Sequence, residues 1–141
     1  MDNKVYLLDT NILIELIHEN RNVIQQILKV GLNNCCMSVI SLHELYYGAY
    51  NIKKQSEKYF QQEMQRINML RQRFQVLPLP EEADEYGKIK TELIKKGRGV
   101  DEFDMIIGGQ AISNQMIVVT DNEKHFNRMS GLTVENWTVE N

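Results

Sequence analysis

The sequence predicts an α/β sandwich built on a mostly parallel sheet. Three observations carry this. Short apolar runs recur along the chain, bounded by turn residues. Segments with apolar residues at helical spacing lie between them. The first run, Val5-Tyr6-Leu7-Leu8, ends on a carboxylate, Asp9, followed by the polar pair Thr10-Asn11. A continuous apolar run is the mark of a strand buried on both faces, as parallel sheets require. Ligands of open α/β sheets gather at the carboxyl ends of such strands.

The elements follow in order. Residues 4–8 read as the first strand. Residues 11–19 read as a short helix with Ile12, Leu13, Leu16 and Ile17 on one side, and Thr10 or Asn11 as its cap. Asn20 opens a second helix through Val23, Ile24, Ile27, Leu28 and Val30, which Gly31 stops. Asn33-Asn34 turns into a second strand, 35–40. Ser41-Leu42-His43-Glu44 has the form of a capping box and opens a helix through Tyr47, where Gly48-Ala49 allows close backbone approach. Residues 55–73 form a long amphipathic helix through Tyr59, Phe60, Met64, Ile67 and Leu70. A third strand, 74–78, is closed by Pro78 and Pro80. Residues 81–96 form a helix whose inner stripe is Ala83, Tyr86, Ile89, Lys90 and Leu93, ended by Gly97. After the Gly97-Arg98-Gly99 joint, Asp101 or Glu102 starts a helix to about Asn114. Residues 116–120 make a fourth strand, and 132–134 an edge strand.

Composition sets bounds on function. A chain of 141 residues with 43% hydrophobic and 25% charged content reads as one soluble domain, 1–141. No apolar run approaches the ~20 residues of a membrane span. The start shows no signal-peptide pattern. Adjacent Cys35 and Cys36 in an apolar segment read as buried free thiols, which predicts a reducing cytoplasm. The net charge of −3 does not announce a nucleic-acid binder, although metal in an acidic site would reverse the sign locally.

The chemistry lies in the carboxylates. Asp9 ends the first strand, Glu44 and Asp104 stand in first turns of helices, and Asp121 follows the fourth strand. In a parallel sheet these positions share one face, so four acids from distant parts of the chain converge. Taken singly, each has a structural use. Glu44 completes a capping box, Asp104 complements a helix dipole, and Asp121-Asn122 is ordinary turn chemistry. Asp9 has the least ordinary setting, bracketed by Leu8 and Ile12. Ile107, Gly108 and Ala111 follow Asp104 at helical spacing, and small residues there would let its helix lie close to the sheet. Clustered carboxylates repel unless protons or divalent cations intervene, and oxygen-only donors suit Mg²⁺ or Mn²⁺. Such an ion lowers the pKa of bound water and steadies in-line displacement at phosphorus.

Leu8 through Leu13, Ser38 through Glu44-Leu45 with Gly48, Asp104 through Ala111, and Val118 through Asn122 with Phe126 together resemble the successive motifs of PIN-domain nucleases. The run from Phe126 through Gly131-Leu132 to Trp137 is similar to the end of VapC-type toxins. The resemblance spans nearly the whole chain. It implies a PIN-like three-layer α/β/α sandwich with a mostly parallel central sheet of four to five strands. It also implies Mg²⁺- or Mn²⁺-dependent cleavage of transfer or ribosomal RNA in a bacterial cytoplasm. A VapB-type antitoxin, a homodimer and a hetero-oligomer with the antitoxin are the implied assemblies. Asp9, Glu44 and Asp104 match the family's three core acids. The fourth position falls on Asn122, with Asp121 one residue early. Thr120 matches a supporting hydroxyl and Asn11 a polar position beside the first acid.

On this reading Asp9, Glu44, Asp104 and Asp121 hold the metal, and Asn11, Thr120 and Asn122 support them. His43 is not needed, and His18 and His125 read as surface residues. Charge for RNA would come from Lys53, Lys54, Lys90, Lys95, Lys96 and Arg98. Tyr46, Tyr47 and Tyr50 are candidates for an antitoxin-docking groove near the second and long helices. An aspartyl-phosphate enzyme would need a second Asp where Asn11 stands. The non-enzymatic alternative is a PIN-like module that binds RNA or protein without cutting, which would gain no stability from Mn²⁺.

Overall fold

The structure, a computed structural model, describes residues 3–139. Its elements are β1 (Tyr6–Leu8), α1 (Thr10–Ile17), α2 (Arg21–Val30), β2 (Cys35–Ser38), α3 (Val39–Lys53), α4 (Glu57–Arg73), β3 (Gln75–Leu77), α5 (Asp84–Lys95), α6 (Glu102–Ser113), β4 (Ile117–Val119), α7 (Glu123–Phe126) and β5 (Val134–Glu135). The five strands form one sheet in the order β3-β2-β1-β4-β5, and every pairing is parallel. β1 lies at the centre, which puts Asp9 at the middle of the sheet's carboxyl edge.

Strand alternation divides the core into two layers. Tyr6, Leu8, Cys35, Met37 and Val119 pack against α1 to α4 and Trp137. Leu7, Cys36 and Val118 pack against α5, α6 and Phe126. The Tyr6 and Trp137 rings meet at 5.0 Å between centroids, so the closing segment seals the first layer. Both cysteines are buried free thiols. No helix among the described residues is long and apolar enough to cross a membrane.

Several expectations change. The second strand stops at Ser38, and Val39-Ile40 belong to α3. Ser38, not Ser41, caps that helix, its hydroxyl accepting from Ile40 N at 3.0 Å. Glu44 is therefore in the second turn and completes no capping box. The expected close approach at Gly48 does not occur, since a Cβ there would meet open space. Of the residues of α6 expected to face the sheet, Ile107 and Ala111 are buried in the layer with Leu7 and Val118, while the glycines make room for other neighbours. A Cβ on Gly109 would stand 3.1 Å from Tyr86 N of α5, and one on Gly108 would strike Met129 Sδ. On α5, Ile89 and Leu93 are buried as expected, but Ala83 precedes the helix and is exposed.

Candidate active site

The site is built outward from Asp9. Its backbone N donates to Val119 O at 2.9 Å, extending the β1–β4 pairing by one residue. Its side chain then caps α1, with Oδ1 accepting from Thr10 N at 2.8 Å. Oδ2 accepts from Thr120 Oγ1 at 2.9 Å. Asp9 is only 4% exposed, so this is a carboxylate held almost wholly out of water. Burial pushes its pKa from 3.8 up to about 7, against the two hydrogen bonds, with Asp104 and Glu44 adding to the rise.

Thr120 is a fully buried hub at the end of β4. Besides donating to Asp9, its Oγ1 accepts from Asn122 N at 2.9 Å and from Asn11 Nδ2 at 3.4 Å. Asn11 Oδ1 accepts from Asp121 N at 3.3 Å, which ties the loop after β4 to α1. Thr10 makes the link to α3, where its hydroxyl donates to Glu44 Oε1 at 2.6 Å and lies 2.9 Å from Ser41 Oγ. Ser41 is buried and faces this contact. Asp104 projects from the first turn of α6, where the helix N-terminus favours negative charge.

Asp9, Glu44 and Asp104 are thus brought within electrostatic reach of one another. Glu44 is raised by burial, against its bond from Thr10, and further by Asp104 and Asp101. Asp104 is raised by burial, against His125, and further by Asp101. Asp101 caps α6 through Phe103 N at 2.8 Å and adds a fourth negative charge. Sequence reasoning saw it only as a helix start. Among the described residues no three His, Cys, Asp or Glu side chains converge tightly enough to hold a metal ion by themselves.

Asp121 is not part of this group. It is exposed, and its carboxyl, raised mainly by burial, feels Glu15 of α1 instead of the three acids. Thr120 and Asn122 point inward on either side of it. Asn122 Nδ2 lies 2.8 Å from His125 Nδ1, which in turn lies 3.4 Å from Asp104 Oδ2. His125 is therefore at the rim of the site and not simply a surface residue. A deeper tie was also missed. Ser38 Oγ donates to buried Gln110, whose Nε2 donates to Pro78 O at 2.9 Å, locking α6 to the ends of β2 and β3.

Of the basic residues, Lys90 is paired with Glu102 at 2.6 Å and Lys96 with Glu92 at 2.7 Å. Lys53 covers the Tyr50 and Phe60 rings. Tyr47 and Tyr50 are exposed, while Tyr46 packs on the core and accepts from Arg71 Nη1 at 2.8 Å. None of the three tyrosines lines the apolar groove between α2 and α4. That groove, of about 470 Å³, is walled by Leu16, Ile24, Leu28, Met69 and Leu70 among others.

Residues 6–132 match the family model for the PIN domain. The chain is 34% identical over 133 residues to a ribonuclease VapC2 of Haemophilus influenzae, covering 94% of this chain and 97% of that one. It is 32% identical to a tRNA(fMet)-specific endonuclease VapC of Shigella flexneri, covering 94% and 98%. Among solved structures, DNA-bound VapBC from Salmonella typhimurium superposes with a TM-score of 0.84 at 30% identity, over 95% of this chain and 98% of that one. With the strand order, the central Asp9 and these likenesses in agreement, the chain belongs to the PIN-domain family, in its VapC branch.

Proposed function

We propose that this protein is a divalent-cation-dependent endoribonuclease that hydrolyses structured RNA, transfer RNA in the first place, as the toxin of a VapBC-type pair. The observation that carries the reading is Asp9, a carboxylate 4% exposed at the sheet's centre, coupled to Glu44 and Asp104. Nothing in a purely structural core requires three acids to share such a place. Their donor set fits a hard divalent ion in kind: carboxylate and hydroxyl oxygens with surplus negative charge. Mg²⁺ is usually bound through one or two carboxylates, water and substrate phosphates, so a closed cage of acids is not needed. When bound, the ion supplies an activated water and offsets charge on the phosphate.

The chain's own residues do the rest. Thr120 and Thr10 N hold Asp9 in a single orientation. Thr10 holds Glu44 by its carboxylate. Asp104 brings the third charge from the far side of the cleft. Asn11 and Asn122, fastened to Thr120, keep the loop after β4 against the site. Asp121 is assigned no contact with the ion, because it is exposed and none of the three acids feels its charge. Lys54, Lys95 and Arg98 remain as exposed cations for the RNA backbone, since Lys90 and Lys96 are already paired with acids. An antitoxin of the VapB type, as in the Salmonella complex, fits the apolar groove between α2 and α4, with Leu28 and Met69 exposed along it. A transfer RNA as substrate draws support from the Shigella relative. The test is cleavage of transfer RNA in Mg²⁺ or Mn²⁺ by wild type, Asp9→Asn and Asp104→Asn. Both variants should lose at least about 100-fold in rate. Activity of both at the wild-type level would overturn the reading.

A further inference from the structure

His125 occupies a setting that a solvent-facing residue of a one-turn helix does not need. Its ring is fixed by Asn122 at 2.8 Å and meets Asp104 Oδ2 at 3.4 Å, both through Nδ1. Nδ1 holds one proton at most: carrying it, Nδ1 donates to Asp104; with the Asn122 amide donating instead, the proton sits on Nε2 and Nδ1 turns a lone pair toward the carboxylate oxygen, the arrangement open to a cation. The 3.4 Å separation is long beside the ~2.9 Å of a good N–H···O bond. It is near the spacing of two donor atoms that flank one cation at a right angle, each ~2.1 Å from it, which is about 3 Å. Among the described residues, His125 is the one side chain that reaches Asp104's carboxylate by a hydrogen bond. The same carboxylate is coupled to Asp9 across the cleft.

We propose that His125 is a nitrogen ligand of the divalent cation, adjacent to Asp104, and that it biases the site toward imidazole-favouring metals over Mg²⁺. The assignment rests on the metal-dependent reading above. Mg²⁺ prefers oxygen donors throughout, whereas imidazole suits Co²⁺, Ni²⁺ and Zn²⁺, for which affinity rises along the first-row series. Asn122 then acts as a positioning residue, holding the ring with Nδ1 toward Asp104 until an ion takes its place.

The experiment is titration calorimetry of the full chain with Co²⁺ alone and with Mg²⁺ alone, for wild type, His125→Ala, His125→Asp, Asp9→Asn and Asp104→Asn. The visible absorption of bound Co²⁺ is followed in parallel. His125→Ala should lose roughly 10- to 100-fold in Co²⁺ affinity and less than about 3-fold for Mg²⁺. His125→Asp should keep Mg²⁺ binding, and its Co²⁺ band should shift because an oxygen donor replaces nitrogen. Equal losses for both ions in His125→Ala, or none, would overturn the assignment while leaving the metal site intact. Tighter binding of both ions in His125→Ala would also overturn it, marking His125 as an imidazolium paired with Asp104. Failure of wild type to bind either ion would overturn the metal reading itself, as would undiminished binding in Asp9→Asn and Asp104→Asn.

Discussion

Replacing Asp9 with Asn should make the metal-free protein more stable at pH 8 and not at pH 5. In the native protein the Asp9 carboxyl titrates at about 7, against 3.8 for a free side chain. Below pH 3.8 both folded and unfolded chains hold the proton, and the group costs nothing. Between 3.8 and about 7 the unfolded chain has lost the proton and the folded one keeps it, so stability falls as pH rises. Above about 7 the full cost is present. At 1.36 kcal/mol per unit it is about 4 kcal/mol. Asn keeps the shape and the bond from Thr10 N, and it is a good N-cap. It must, however, donate toward Thr120 Oγ1, which already accepts from Asn122 N and Asn11 Nδ2. That mismatch costs about 1–2 kcal/mol. The variant should therefore be more stable than wild type by about 2–3 kcal/mol at pH 8 and about equal to it at pH 5. Urea unfolding in chelator at both pH values measures this. A gap independent of pH, or a wild type more stable at pH 8, would refute the claim that Asp9 is held at the centre of the site against its own charge.

Other outcomes follow from the same contacts. Thr120→Val removes the donor to Asp9 Oδ2 and orphans Asn122 N. It should destabilise the chain by about 1–3 kcal/mol at pH 8 in urea unfolding and weaken Mn²⁺-dependent thermal stabilisation. Gly109→Ala gains helix propensity but sets a methyl 3.1 Å from the Tyr86 backbone. A net loss of about 1–2 kcal/mol is expected, and a net gain would show that α5 and α6 part without cost. Leu28→Glu alters a side chain that is 76% exposed on the α2–α4 groove. It should unfold with the wild-type midpoint and lose antitoxin in a pull-down, whereas wild-type retention would place the antitoxin elsewhere.

The strands and the central carboxylate were legible because burial on both faces leaves a plain mark, an apolar run ending in a lone acid. Where one element passes into the next, the marks were ambiguous. Val39 and Ile40 are β-branched and continue the apolar run of the second strand, yet the Ser38 hydroxyl captures Ile40 N and turns the chain into a helix. Ser41 was then free to face Thr10 inside the fold. The fourth acid lies in the loop after β4, where no periodicity says which side chain turns inward: Thr120 and Asn122 bond toward Asp9 and His125, while exposed Asp121 feels Glu15. His125 lies on a single turn with no periodicity to read, and its link to Asp104 spans two helices. Lys90 looked available to RNA because its partner, Glu102, is twelve residues away on another helix. Asp101 looked like a cap alone, and it is one, but its charge also reaches Glu44 and Asp104. In each case the missing information was the side of the cleft on which a side chain ends, and packing between distant elements sets that.

Hydrolysis by water in which the 3′-oxygen departs leaves a 5′-phosphate and a 3′-hydroxyl, whereas attack by the RNA's own 2′-hydroxyl expels the 5′-oxygen and leaves a 2′,3′-cyclic phosphate. The most direct measurement is therefore end analysis of transfer RNA cut by the purified protein, with and without chelator, beside Asp104→Asn. Discrete internal cuts with 5′-phosphate ends are expected in Mg²⁺ or Mn²⁺, and none in chelator or with the variant. Cyclic phosphate ends, or cutting that persists in chelator, would contradict it.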